Sequence, residues 1–146
     1  MIEITEKPLV PQEFISKINK RHNGALTVFM GTVRDFQGKT RLDYMEYDAY
    51  KEMAERKMAE IVEEAKARWN TQDVAVAHRI GRLKLTDISV IVAVGTPHRP
   101  EAFAACRFII DRIKEEVPIW KKEVDQHGHG EWVAGCVPSV KEPVTR

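Results

Sequence analysis

At 146 residues, 43% hydrophobic and 31% charged, the chain has the size and composition of one ordinary globular domain. Its 23 basic and 22 acidic side chains leave a net charge of +1, which argues against a general nucleic-acid or membrane-surface binder and favours a small, locally held anion. The longest apolar run falls far short of the ~20 residues of a membrane span, the opening MIEITEKPLV has no signal-peptide pattern, and two cysteines without metal-ligand neighbours give neither a disulfide framework nor zinc spacing, so a cytoplasmic, reduced protein is expected.

Taken in order, residues 2–5 alternate enough for a short strand, and 11–20 form a helix with Phe14, Ile15 and Ile18 inward, closed by Asn23-Gly24. Residues 25–33 (ALTVFMGTV) are rich in β-branched and aromatic side chains and read as a buried strand. It ends at Arg34, and 37–40 is a polar loop. Residues 42–50 read as a half-exposed strand, and 51–69 as the longest helix, with Ala54, Met58, Ile61, Ala65 and Trp69 on its inner face. A strand at 73–80, a loop at 81–87 and a central strand at 88–95 (ISVIVAVG) follow.

The stretch 96–123 organises the rest. Pro100 suits a first helical turn, and Pro118 disfavours helical geometry at Val117 and ends the helix there. Between them Phe103, Cys106, Ile110, Ile113 and Val117 recur at spacings of three and four, one apolar stripe. A last strand at 119–124 pairs with 131–133 across the turn 126–130, and the final ten residues are irregular. The alternation of elements favours an α+β fold, a mixed α/β sandwich, in a single domain spanning 1–146.

Three basic groups stand out. Arg34 lies where a strand gives way to a loop, and its guanidinium can clamp phosphate with two parallel hydrogen bonds; the alternative is a solvated strand-end arginine. His98 and Arg99 follow the central strand and precede a helix, a place where anions gather, or else form an exposed capping turn. Lys114, Lys121 and Lys122 cluster around Pro118 and Trp120. A lysine crowded by other cations loses its proton more readily and can act as base or nucleophile. The alternative is ordinary surface lysines beside Glu115 and Glu123. His127 and His129 form a His-x-His without a third ligand, better explained by a Gly-rich turn. Cys106 sits on the apolar stripe as a small core residue, and nothing near Cys136 marks a lowered pKa, so the chain offers no sulfur of its own for chemistry.

In combination these features are far more specific. GTVRDFQG at 31–38, EYDAY at 46–50 with the helix after it, HRIGRL at 78–83, the His-Arg pair at 98–99, DRIKEEVPIWKKE at 111–123 and GEWV at 130–133 occur in one order. The chain thereby resembles the large, catalytic subunit of molybdopterin synthase, from about residue 24 to 133. The resemblance implies an α/β hammerhead with an additional small antiparallel β subdomain. It also implies a sulfurtransferase of molybdenum cofactor biosynthesis, converting cyclic pyranopterin monophosphate into the dithiolene molybdopterin without a cofactor or bound metal. The sulfur would come from the thiocarboxylated C-terminal glycine of a small ubiquitin-like carrier subunit. Two large subunits would form a homodimer within a heterotetramer. Lys114 and Lys121 are implied as catalytic, and Arg34, His98, Arg99, Lys114, Lys121, Lys122 and Glu123 as substrate-binding.

Helix geometry adds a constraint: from Pro100 to Lys114 is about 20 Å along one rod, so a pterin phosphate does not easily touch both ends. A site shared across the dimer is the favoured resolution. Relatives place a basic residue a few positions beyond the Trp-Val pair, where Gly135 and Cys136 stand here; Lys141 and Arg146 are the available substitutes. A nucleotide- or RNA-binding module and a non-catalytic docking scaffold are the competing classes. Near-zero net charge opposes the first, and the convergent basic residues oppose the second.

Overall fold

A computed structural model describes residues 1–134. Along the chain they form β1 (Ile2–Thr5), α1 (Pro11–Ile18), β2 (Ala25–Thr32), β3 (Phe36–Gln37), β4 (Thr40–Ala49), α2 (Lys51–Arg68), β5 (Val74–Arg79), β6 (Gly81–Lys84), β7 (Ile88–Thr96), α3 (Arg99–Glu116), β8 (Ile119–Asp125) and β9 (Trp132–Ala134). The architecture is α+β, as the alternation of elements predicts. The expectations for Cys136, Lys141, Arg146 and the irregular tail fall outside the described residues.

Two sheets divide the labour. The first has the order β1-β5-β7-β2, with β1 parallel to β5 and the other pairs antiparallel. Its central strands β5 and β7 are buried on both faces because helices cover both. Val74, Val76, Val90, Val92 and Val94 point into one core with Met58 and Ile61 of α2 and Ile109 and Ile113 of α3. Ala75, Ala77, Ile91 and Ala93 point the other way, onto Phe14 and Ile18 of α1. Alanines on that face let the short α1 lie close, and Gly95 goes further: a Cβ there would meet the Ile18 carbonyl oxygen at 2.5 Å.

The second sheet has the order β3-β4-β8-β9, with β6 on the remaining edge of β4. Its small core is Val33, Leu42, Met45 and Leu83, so it is the additional antiparallel layer that the resemblance implies.

Four sequence expectations need correction. Residues 81–87 are not all loop, since β6 pairs with β4 over Tyr44–Tyr47; with one buried side chain, Leu83, the strand is too short to show alternation. The polar loop at 37–40 is the tip of the β3–β4 hairpin, where Gly38 takes a positive φ of 62°. β2 is not a buried strand but the edge of the first sheet, with Leu26, Phe29 and Met30 exposed. The inner face of α3 is Ala102, Ala105, Cys106, Ile109 and Ile113, rotated from the expected stripe. Phe103 stands 63% exposed and Ile110 is only partly buried. Large side chains set the expected phase, whereas the close approach of α3 to the sheet selects small ones. The smaller departures, half-buried Ile15 and Trp69, sit at the margins of their faces.

Candidate active site

The chain folds so that one end of α3, the end of β5 and the middle of the second sheet converge. β5 and β7 run antiparallel with His78 opposite Val90, which puts His78 at the end of the first sheet where β7 begins. α3 returns over that sheet from the far end of β7, so its last turn comes back to the same place. β8 then pairs with β4, with Lys121 opposite Tyr47. The result is a cleft lined by Tyr47, His78, Ile113, Lys114, Val117, Ile119 and Lys121. Its apolar wall is the end of the α3 core, and its polar wall holds two cations, an imidazole and a phenol.

Pro118 explains the pairing of Lys114 with Lys121. It stops α3, Val117 turns extended with ψ of 128°, and the chain enters β8 at Ile119. The break redirects the chain so that residues seven apart in sequence face one cavity.

Much of Lys114 still meets solvent, but burial of its amine first, and the charge of Lys121 second, hold its pKa below the usual lysine value. That solvent contact moderates the shift, and its direction is toward a free amine. Lys121 is tied to Glu123, Nζ to Oε1 at 3.3 Å, while Oε2 of Glu123 is buried with no hydrogen-bond partner among the described residues. Tyr47 is pushed above its usual pKa by burial, opposed by a hydrogen bond with Ser89 and reinforced by Glu123. Ser89 in turn donates to the Gly31 carbonyl at 3.1 Å.

His78 is 2% exposed. Its Nδ1 lies 2.8 Å from the Arg79 carbonyl oxygen, which can only accept, so Nδ1 carries the proton. Tyr47 meets the imidazole edge-on, ring centroids 4.9 Å apart. Burial pushes the imidazole pKa down to about 4, with Lys114 adding to the effect against the Arg79 carbonyl, so the ring is neutral at pH 7.

The other expected site residues lie elsewhere. Arg34 follows β2 at the same end of the first sheet as Lys114, exposed and outside the cleft lining. His98 and Arg99 are exposed at the opposite end of α3, about 22 Å from Lys114 at 1.5 Å per residue. His98 occupies the N-cap position without capping the helix through its side chain. Lys122 alternates to the face of β8 opposite Lys121, across from Glu46 and Trp132. Sequence reasoning passed over His78 and Tyr47 as site residues. The available signal was a titratable ring at the end of the otherwise apolar strand VAVAHR.

Fold and cleft together define a two-sheet α+β protein with a cleft lined by two lysines at the seam of its sheets. The chain matches the family model described as MoaE protein over residues 4–116 and belongs to that family. It is 47% identical over 131 residues to the molybdopterin synthase catalytic subunit of Thermoplasma volcanium, covering 90% of this chain and 96% of that one. It is 45% identical over 140 residues to that of Halalkalibacterium halodurans, covering 96% and 89%. The crystal structure of molybdopterin synthase from Staphylococcus aureus superposes with a TM-score of 0.85 at 39% identity, covering 90% of this chain and 95% of that one.

Proposed function

We propose that this chain is a catalytic subunit of molybdopterin synthase, a sulfurtransferase of molybdenum cofactor biosynthesis acting in the cytoplasm. The observation that carries the reading is the meeting of Lys114 and Lys121 at one narrow cleft in a member of the MoaE family. The word subunit in its relatives' names fits a second component that brings the sulfur.

That component is a small ubiquitin-like carrier ending in a glycine thiocarboxylate. The cleft has a cavity volume of about 80 Å³, against ~300–1,000 Å³ for pockets that enclose a whole small ligand. It suits a thin peptide tail better than a pterin, which lies across the mouth. The thiocarboxylate sulfur attacks an electrophilic carbon of the pterin side chain, forming a C–S bond and a thioester to the carrier while the C–O bond at that carbon breaks and its oxygen leaves with a proton. Water then cleaves the acyl C–S bond, which leaves sulfur on the pterin and returns the carrier as a carboxylate. A second carrier repeats the step to complete the dithiolene. Lys121, held by Glu123, offsets the negative charge that develops, and Lys114, biased toward its free amine, moves protons at the reacting atoms. Arg34 and Glu123 hold the substrate around this centre, whereas Lys122 faces away from it on β8.

His98 and Arg99 bind the phosphate from a second copy of the chain. The long separation along α3 supports that arrangement, and so does β2. As an edge strand it leaves one row of main-chain groups unpaired among the described residues, flanked by exposed Leu26, Phe29 and Met30. Phe103 is a further exposed apolar side chain on α3, the helix that packs against β2. Such a patch fits a homodimer, with one carrier on each half completing a heterotetramer.

The test is reconstitution with thiocarboxylated carrier and cyclic pyranopterin monophosphate. The carrier should lose its terminal sulfur only when both the pterin and this chain are present, with two carriers consumed per dithiolene formed. Sulfur loss that ignores the pterin would reject the reading. Mixed dimers of Lys114→Ala and Arg99→Ala chains should regain part of the activity that either lacks alone; verified mixed dimers without rescue would reject the shared site.

A further inference from the structure

We propose that His78 is a ligand-contacting residue of the cleft, whose Nε2 accepts a hydrogen bond from the last main-chain N–H of the peptide tail that enters. The proposal rests on the reading above that a carrier tail occupies this cavity. It assigns a role to a residue that the lysine-centred account leaves unused.

The argument starts from the donors and acceptors on the wall. As ammonium groups against an anion, Lys114 and Lys121 offer protons only. Tyr47 brings a phenol oxygen, a weaker acceptor than an imidazole nitrogen. Ile113, Val117 and Ile119 bring apolar side chains. His78 alone brings a strong side-chain acceptor. Its tautomer is fixed by the Arg79 carbonyl, which occupies Nδ1–H and leaves the lone pair of Nε2 as the ring's free polar site. Tyr47 packs edge-on against the ring and holds its plane. Burial and neighbouring Lys114 keep it unprotonated at pH 7, so it remains an acceptor between two cations.

Such a wall is complementary to an anionic head group with one N–H donor close behind it. The C-terminus of a peptide has that pattern: the terminal carboxylate or thiocarboxylate sits one Cα beyond the final amide N–H. With the head group against Lys114 and Lys121, the amide N–H is the group available for His78. A donor-free anion such as sulfate would satisfy the cations and leave the imidazole without a partner, so His78 selects for a head group that carries an N–H behind it.

The experiment compares two ligated versions of the full carrier, both ending in an unreactive carboxylate. In one the last linkage is the natural amide; in the other it is an ester, which removes the single N–H. Binding to the intact protein is followed by calorimetry. The wild type should prefer the amide carrier about tenfold, the effect of one hydrogen bond of ordinary strength. His78→Leu, or His78→Met if the leucine variant does not fold, should bind both carriers within about twofold of each other. His78→Gln, whose Oε1 accepts, should restore part of the preference. Equal binding of amide and ester by the wild type, or a preference that survives His78→Leu or His78→Met, overturns the role of His78 while leaving the tail in the cleft. Binding that is indifferent to removal of the whole tail overturns the cleft reading and this proposal with it.

Discussion

Replacing Phe103 by serine should take the proposed homodimer apart without unfolding the chain. Phe103 is 63% exposed in the single chain, on the outer side of α3. An aromatic side chain buries ~150–250 Å², so about 125 Å² of this one is available to a partner. At ~25 cal/mol per Å² that area is worth about 3 kcal/mol for each copy. A two-fold interface uses the patch twice, so covering only half of it still leaves about 3 kcal/mol per dimer, or roughly a hundredfold in Kd. Sedimentation velocity over a dilution series measures this directly, and thermal unfolding of the monomeric fraction checks the fold. A serine variant with the wild-type dimer constant would refute the placement of the interface at the β2–α3 border, and the site shared across it would lose its structural support.

Three further outcomes follow from the core. His78 has a pKa of about 4 in the fold against 6.5 for an ordinary imidazole. The unfolded chain therefore binds the extra proton first, and stability falls as pH drops from about 6.5 through 4, by on the order of 3 kcal/mol. Denaturant titrations across that window should show a shallower loss in His78→Gln than in wild type; parallel curves would contradict it. Gly95→Ala drives a methyl into the Ile18 carbonyl at 2.5 Å and the Asn23 amide at 2.6 Å. Separating α1 from the sheet should lower stability by about 1–3 kcal/mol in chemical denaturation, and an unchanged midpoint would show that α1 simply moves. Burial raises the Cys106 thiol to about 11, so Cys106→Ala should leave sulfur transfer within about twofold of wild type, whereas loss of turnover would mean the chain carries sulfur itself.

The sequence showed some of this plainly and hid the rest for physical reasons. α2 was legible because Ala54, Met58, Ile61 and Ala65 repeat at helical spacing and all are buried. β7 was legible because a strand covered on both faces reads as one apolar run. The phase of α3 was not, because Phe103 mimics a core residue while serving an outer surface. β2 misled for the same reason: with Leu26, Phe29 and Met30 exposed, this edge strand has the composition of a core strand. In the cleft, Lys114 and Lys121 stood out as charges around a proline, and Pro118 brings them to one cavity. His78 and Tyr47 join them only through strand pairings between distant segments, which a local pattern does not contain.

The central claim is that Lys114 in this cleft performs the sulfur transfer. Its most direct test is single-turnover dithiolene formation by Lys114→Ala beside wild type, with active thiocarboxylated carrier, cyclic pyranopterin monophosphate and matched circular dichroism. The account predicts a rate lower by about 10²–10⁴-fold, the contribution of a positioned proton-transfer group, with carrier affinity changed far less. A Lys114→Ala chain that forms dithiolene at nearly the wild-type rate would contradict it.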